Sequence, residues 1–290
     1  MNKPVENPTP NAFKYYALGL WNGLDEDHCF IFASGIAFNV LLCIIPLSLI
    51  FFQVFSIIIQ NDDVAKMEVI NYISRSLPID KYGSAMRDWV QTQFSYLSDI
   101  SLLPGIIALI VLIWLSSALF TSLRTAVNSI FNIKTRHNLA LLKIKDMGMI
   151  FVISFFLLMT ILINPMLAAL QRLSDDILPA FIASFIHGTL ITTVPLGLMV
   201  IVFFYLYKSL PHAPIPWKIA LLSTIVTVVL IEGMKYIFTF YLQRISSLGA
   251  VYGAYAFVAV VALWSYYVAL VFTIGALVGR LHYTRKYSIA

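Results

Sequence analysis

Apolar and polar positions along this chain neither alternate nor trace the single stripe of a surface helix; the apolar residues come in long unbroken runs. About 20 apolar residues cross the roughly 30 Å hydrocarbon core of a bilayer. Six runs qualify by that length: 31–59, 102–123, 147–170, 181–206, 219–242 and 251–278. The pattern predicts an all-α, polytopic membrane helix bundle with six transmembrane helices. From Phe13 onward, Tyr16, Ala17, Leu20, Trp21 and Leu24 recur at helical spacing, which predicts a short helix lying in the membrane interface. Asp25, Glu26 and Asp27 then cap the first span. In the external loop 60–101, Val64, Met67, Val69, Ile70 and Ile73, then Met86, Trp89, Val90, Phe94 and Leu97, predict two amphipathic helices. They rest on the outer interface or form a lid over an outward-facing cavity. The division is an N-terminal segment 1–30, a membrane domain 31–280 and a tail 281–290. The first residues hold no early apolar core or small-residue cleavage site, so no cleavable signal peptide is expected.

Composition sharpens the picture: 60% hydrophobic and 11% charged residues over 290 positions, with a mean hydropathy of +0.87, exclude an ordinary soluble enzyme and a disordered chain. Runs without alternation exclude a transmembrane β-barrel. The net charge of +5 comes from Lys and Arg scattered through the loops in no block, which speaks for membrane topology and against nucleic acid as a partner. Such residues near span ends resist translocation. Counted in alternate loops, the set containing both ends holds twelve and the opposite set six, which places both termini in the cytoplasm. Cys29 and Cys43 share one apolar run, so a disulfide between them would need a chain reversal.

Charge inside hydrocarbon is costly, so an ionisable residue in a span faces protein or water. Glu232 and Lys235 stand alone in this respect, three residues apart on one face of the fifth run. Either Lys235 snorkels outward while Glu232 pairs, or the two line a pathway for a proton, an ion or a lipid headgroup. Asn39, Asn164 and His187 are further polar candidates for that pathway, each with a bland reading as a locally hydrogen-bonded group. Pro46, Pro165 and Pro195 lie inside three spans, where each removes a backbone hydrogen bond and favours a bend that leaves room for a cavity. Gly35, Asn39, Cys43 and Pro46 make a small and polar stripe on the first span, suited to close packing or to a substrate path. Gly249 with Gly253, and Gly275 with Gly279, have GxxxG spacing and mark helix packing within the chain or between copies of it. Enzyme signatures are missing: no P-loop, GxSxG, HExxH or clustered acidic metal motif occurs, and the five histidines are dispersed. No metal and no cofactor are expected.

Three stretches carry a family resemblance. Ala33 to Leu47 reads ASGIAFNVLLCIIPL and Leu123 to Arg136 reads LRTAVNSIFNIKTR; a third begins with LYKSLPHAPIPWKIAL at Leu206 and continues through IEGMKYIFTFY, VYGAYAFV and LWSYYVALVFTIGA. Over nearly its whole length the chain resembles the YihY/BrkB family of bacterial inner-membrane proteins. The resemblance implies a six-helix bundle in the inner (cytoplasmic) membrane with both ends inside. It sets Asn128 on the family's asparagine position, Glu232, Lys235, Phe238 and Tyr241 on its fifth-span positions, and Tyr252 and Gly253 on its Tyr-Gly turn. Leu277 stands where many relatives carry glutamate, which removes a charge relay there. Some members bear the label ribonuclease BN, but no clustered His and Asp ligands support that chemistry here.

The function expected from these features is non-enzymatic transport or transfer of an amphipathic, anionic envelope lipid or similar solute, with membrane lipids as partners. Lys235 would attract the headgroup and Glu232 hold or release it. The alternative is a scaffold or assembly partner whose GxxxG faces and outer helices bind another envelope protein, with nothing crossing; a homo-oligomer is a further expected partner. A ribonuclease is the least favoured reading.

Overall fold

The computed structural model describes residues 12–58, 92, 103–133, 145–146, 148–150, 152–153, 155–156, 191–244 and 254–287. Among these residues the chain is all helix and turn, with no strand. Six long helices follow in order: α1 (Ala12–Glu26), α2 (Cys29–Ile58), α3 (Leu103–Ile130), α4 (Ile191–Ser209), α5 (Trp217–Arg244) and α6 (Ala254–Tyr287). A spanning helix satisfies its own backbone groups in hydrocarbon, which is why runs this apolar fold as helices.

The expectation of six transmembrane helices is corrected. Among the described residues four helical stretches are long and apolar enough to cross a membrane: Cys29–Ile50, Leu103–Ile130, Trp217–Tyr241 and Val258–Lys286. The apolar part of α4, Thr193–Ser209, is shorter; at 1.5 Å per residue it covers about 25 Å, less than the hydrocarbon core. The run 181–206 marks where hydrophobicity is high, whereas the described helix starts ten residues later and ends at Ser209. Most of the run 147–170, and the loop 60–101 except Thr92, lie outside the described residues.

The chain forms two compact units. The first comprises residues 1–32, 120–231 and 270–290. Its core is Val127, Ile130, Met149, Tyr207, Leu210, Ile219, Thr224, Thr227 and Leu277, all essentially sealed from solvent. Here α1 lies on the C-terminal part of α6. A Cβ on Gly19 would come within 2.8 Å of Leu281, and one on Gly23 within 2.7 Å of Leu277, so glycine is what lets the two helices approach. Tyr15 donates to the Leu281 carbonyl (3.3 Å), Tyr16 hydrogen-bonds His282 Nδ1 (2.9 Å), and Arg285 lies over both tyrosine rings. The predicted helix is therefore present, but its packed face runs through Tyr15, Tyr16, Gly19 and Gly23, and Trp21 is exposed.

The second unit comprises 33–119 and 232–269. Its buried residues are mostly small: Ala33, Ala37, Cys43, Ala108, Ser116 and Ser265, with Gln53 among them. Large apolar side chains such as Ile45, Ile107, Trp114 and Ile237 point outward, the inverse of a soluble core and the pattern expected where lipid is the solvent.

Candidate functional site

In the second unit, Lys235 Nζ donates to Glu232 Oε1 at 2.6 Å, with the lysine side chain 49% exposed and the carboxylate 30% exposed. The spacing of three places both on one helix face, and the contact needs no other element to form. One turn onward, Phe238 stacks with Tyr241 (6.4 Å between centroids) and packs against Trp264 (5.0 Å) and Tyr267 (6.4 Å). Phe238 thus anchors this stretch of α5 to α6, while Tyr236, Ile237 and Phe240 face outward. The result is an ion pair on an outer surface of a spanning helix, held by an aromatic anchor. It can bind a charged headgroup or a polar partner.

The other sequence-predicted residues fall differently. Asn39 Nδ2 donates to the Gly35 carbonyl at 2.9 Å, one turn back on the same helix. Cys43 and Pro46 are buried, whereas a Cβ on Gly35 would meet nothing within 4 Å among the described residues. Both cysteines are free and lie on α2. Helices α2 and α4 continue through Pro46 and Pro195. Gly275 and Gly279 receive α5 tightly: a Cβ on the first would overlap Thr227 Oγ1 and sit 2.9 Å from the Ser223 carbonyl, and one on the second would overlap Ser223 Oγ. Asn164, His187, Pro165, Gly249 and Gly253 lie outside the described residues.

The first unit holds a set of polar contacts that hydropathy did not single out. Arg124, 5% exposed, forms a bidentate pair with Asp146, 2% exposed, and the Arg124 Nε has no partner among the described residues. Burial and the Arg124 charge lower the pKa of neighbouring Lys145. Asn128 accepts from the His212 backbone N–H and pairs with its Nδ1, both at 3.0 Å, tying the turn after α4 to the end of α3. Buried Tyr207 donates to the Phe272 carbonyl (2.6 Å), lies 2.7 Å from Thr227 Oγ1 and stacks on the Phe272 ring. Arg280 Nη1 donates to Asp27 Oδ1 (2.6 Å) and to the Ile130 carbonyl (3.2 Å), placing a cation at the C-terminal end of α3. Asp27, expected as a cap, is committed to this bridge. Its carboxyl is raised by burial, which outweighs the lowering by Arg280. Arg124 was legible only as a loop cation, because a hydropathy run stops at the first charge; α3 in fact continues to Ile130. Asn128 was singled out by the family motif, and Asp27 only as a cap.

Among the described residues, no group of three or more His, Cys, Asp or Glu is placed to hold a metal ion. A family model described as virulence factor BrkB matches residues 20–287. A UPF0761 membrane protein of Legionella pneumophila is 26% identical over 257 residues, covering 87% of this chain and 58% of the relative. One from Ralstonia nicotianae is 24% identical over 275 residues (93% and 58%), and one from Pseudomonas aeruginosa 33% identical over 101 residues (32% and 25%). The chain thus spans less than two thirds of the length of these curated relatives. Their descriptions name a membrane protein and no reaction. No solved structure matches the chain.

Proposed function

Since the chain belongs to the virulence factor BrkB family, a family of multi-pass inner-membrane proteins, we propose that it moves or hands on an amphipathic, anionic envelope lipid or similar solute without catalysing a reaction. The observation that carries this reading is the half-exposed Glu232–Lys235 pair on a spanning helix. An ion pair exposed on such a helix is open to a polar partner from outside the fold. A lipid phosphate supplies one: it takes Lys235 as counter-ion, and Glu232 competes for the same ammonium and so keeps the interaction reversible.

Native mass spectrometry of the protein released from lipid nanodiscs tests the proposal. Wild type retains an anionic lipid, and the Glu232→Gln, Lys235→Met double variant loses it. If neither form retains a specific lipid, the scaffold reading replaces it, with the outward face of Tyr236, Ile237 and Phe240 as the contact surface for another envelope protein.

A further inference from the structure

Lys235 does not reach toward the nearer end of its span. Its Nζ donates to Glu232 Oε1, one turn back along α5, so the ammonium is drawn away from the C-terminal end of the helix. The apolar stretch of α5 ends at Tyr241, six residues beyond Lys235 and nine beyond Glu232. At 1.5 Å per residue the two Cα atoms lie about 9 and about 14 Å from that end. The whole stretch, Trp217–Tyr241, exceeds a hydrocarbon core of about 30 Å by roughly 7 Å. Even with all of that surplus projecting at the Tyr241 end, both Cα atoms remain inside hydrocarbon. The neighbouring face of α5 fixes this depth independently. Ile237 and Phe240, exposed and apolar, stand nearer to Tyr241 than the pair does. Sliding α5 outward until Lys235 met the headgroups would push both into water. Phe238, packed against Trp264 and Tyr267 of α6, holds the helix in register.

We infer that the pair is an entry site for a phospholipid headgroup, at which the phosphate and its water descend below the boundary of the leaflet at the C-terminal end of α5. Charge at hydrocarbon depth is relieved by burial in protein, by snorkelling, or by local thinning of the bilayer and water defects. Burial is not the device here, since the lysine side chain is 49% exposed and the carboxylate 30%. Snorkelling is not either, because Lys235 reaches the other way. The bilayer must come to the charges. Beyond the N–H given to Glu232 the ammonium has two more to donate, and the non-bridging oxygens of a phosphodiester accept them. A polar stripe leads to this point: Glu232, Lys235, Tyr236 and Thr239, at i, i+3, i+4 and i+7, share one face of α5. The exposed Tyr236 and Thr239 carry hydroxyls on the side of the pair that faces the end of the span, along the path a headgroup takes inward. The inference rests on the lipid reading above for what enters, and adds the depth, the leaflet and the route.

Phosphorus NMR relaxation of the lipids in nanodiscs tests this, with a nitroxide attached at Gly233→Cys or at Ile237→Cys in a chain whose buried Cys29 and Cys43 are replaced by alanine. Both label positions are exposed and share a helix face, and a Cβ on Gly233 meets nothing within 4 Å. In an unperturbed bilayer the label at Ile237, about 6 Å nearer the end of the span, relaxes the lipid phosphorus more strongly. A phosphate held at the pair reverses that order. The reversal is lost in the Glu232→Gln, Lys235→Met double variant. Stronger relaxation from Ile237 in the otherwise unchanged chain, or an order that the double variant leaves as it was, overturns the inference. Discs of phosphatidylglycerol and of phosphatidylcholine separate it from the anionic-lipid proposal. Reversal in both, with no lipid retained in native mass spectrometry, keeps the entry site and removes the preference for an anionic headgroup. Retention without reversal keeps that preference and removes the entry site.

Discussion

Arg280 and Asp27, 253 residues apart in sequence, form an ion pair of 2.6 Å that joins the turn between α1 and α2 to the last helix. The same guanidinium caps the end of α3 through the Ile130 carbonyl. Three elements therefore meet on one side chain, at the end of the chain's described helices where the N-terminal helix also docks.

Asp27 makes this junction pH-dependent. Burial raises its carboxyl above the ordinary 3.8, more than Arg280 lowers it. The folded protein therefore holds a proton on Asp27 more tightly than the unfolded chain does. The stability this contributes is full below pH 3.8 and is lost as pH rises through the raised pKa. Thermal unfolding in nanodiscs shows a fall across that window in wild type and a flatter profile in Asp27→Asn. A wild-type profile that climbs with pH there would mean that the Arg280 charge outweighs burial.

The Arg124–Asp146 pair is more deeply buried, so breaking it from one side differs from replacing it. Arg124→Met alone leaves a buried carboxylate and destabilises by about 3 to 5 kcal/mol. Adding Asp146→Leu recovers most of that loss, because two packed apolar groups need no solvation. Denaturation of the two singles and the double variant forms a mutant cycle; additive losses would show that the pair does not act as a unit.

Gly279 and Ser223 make a second reciprocal pair. The atom that a Gly279→Ala methyl would strike is Ser223 Oγ, which is buried and has no partner among the described residues, while Ser223 Cβ is 3.4 Å away. Gly279→Ala costs about 1 to 3 kcal/mol by overpacking, and Ser223→Ala in the same chain restores most of it. Gly275→Ala has no such rescue, since the Ser223 backbone carbonyl cannot be removed. Melting temperatures of the two glycine variants, each with and without Ser223→Ala, measure this. Equal recovery at both glycines would contradict the assigned contacts.

The Glu232–Lys235 pair behaves in the opposite way. Three residues apart on one helix face, it ties no second helix to the fold. The double variant therefore unfolds close to the wild-type temperature while losing bound lipid. A large drop in unfolding temperature would make the pair structural and remove it as a headgroup site.

These contrasts follow the reach of each interaction. The Glu232–Lys235 contact was legible because helical rotation puts i and i+3 on one face whatever the neighbours do. Helix α1 was legible from its periodicity, but its docking face was not, since hydrophobic spacing gives no weight to Gly19 and Gly23, whose value is the side chain they lack. Arg124 ended the second apolar run and was counted as a loop cation, although the helix carries it inward to Asp146.

From the sequence alone came everything that depends on composition and local periodicity: a helical, membrane-embedded chain, its family, and the one ion pair built within a single helix. Tertiary structure decided which apolar runs become helices long enough to span, four among the described residues where six were expected. It also decided the partners of Asp27, Arg124 and Asn128 and the close approach of Ser223 to Gly279. Hydropathy is a sum over neighbours in sequence, whereas burial of a charge or the close approach of two helices depends on residues brought together only by packing.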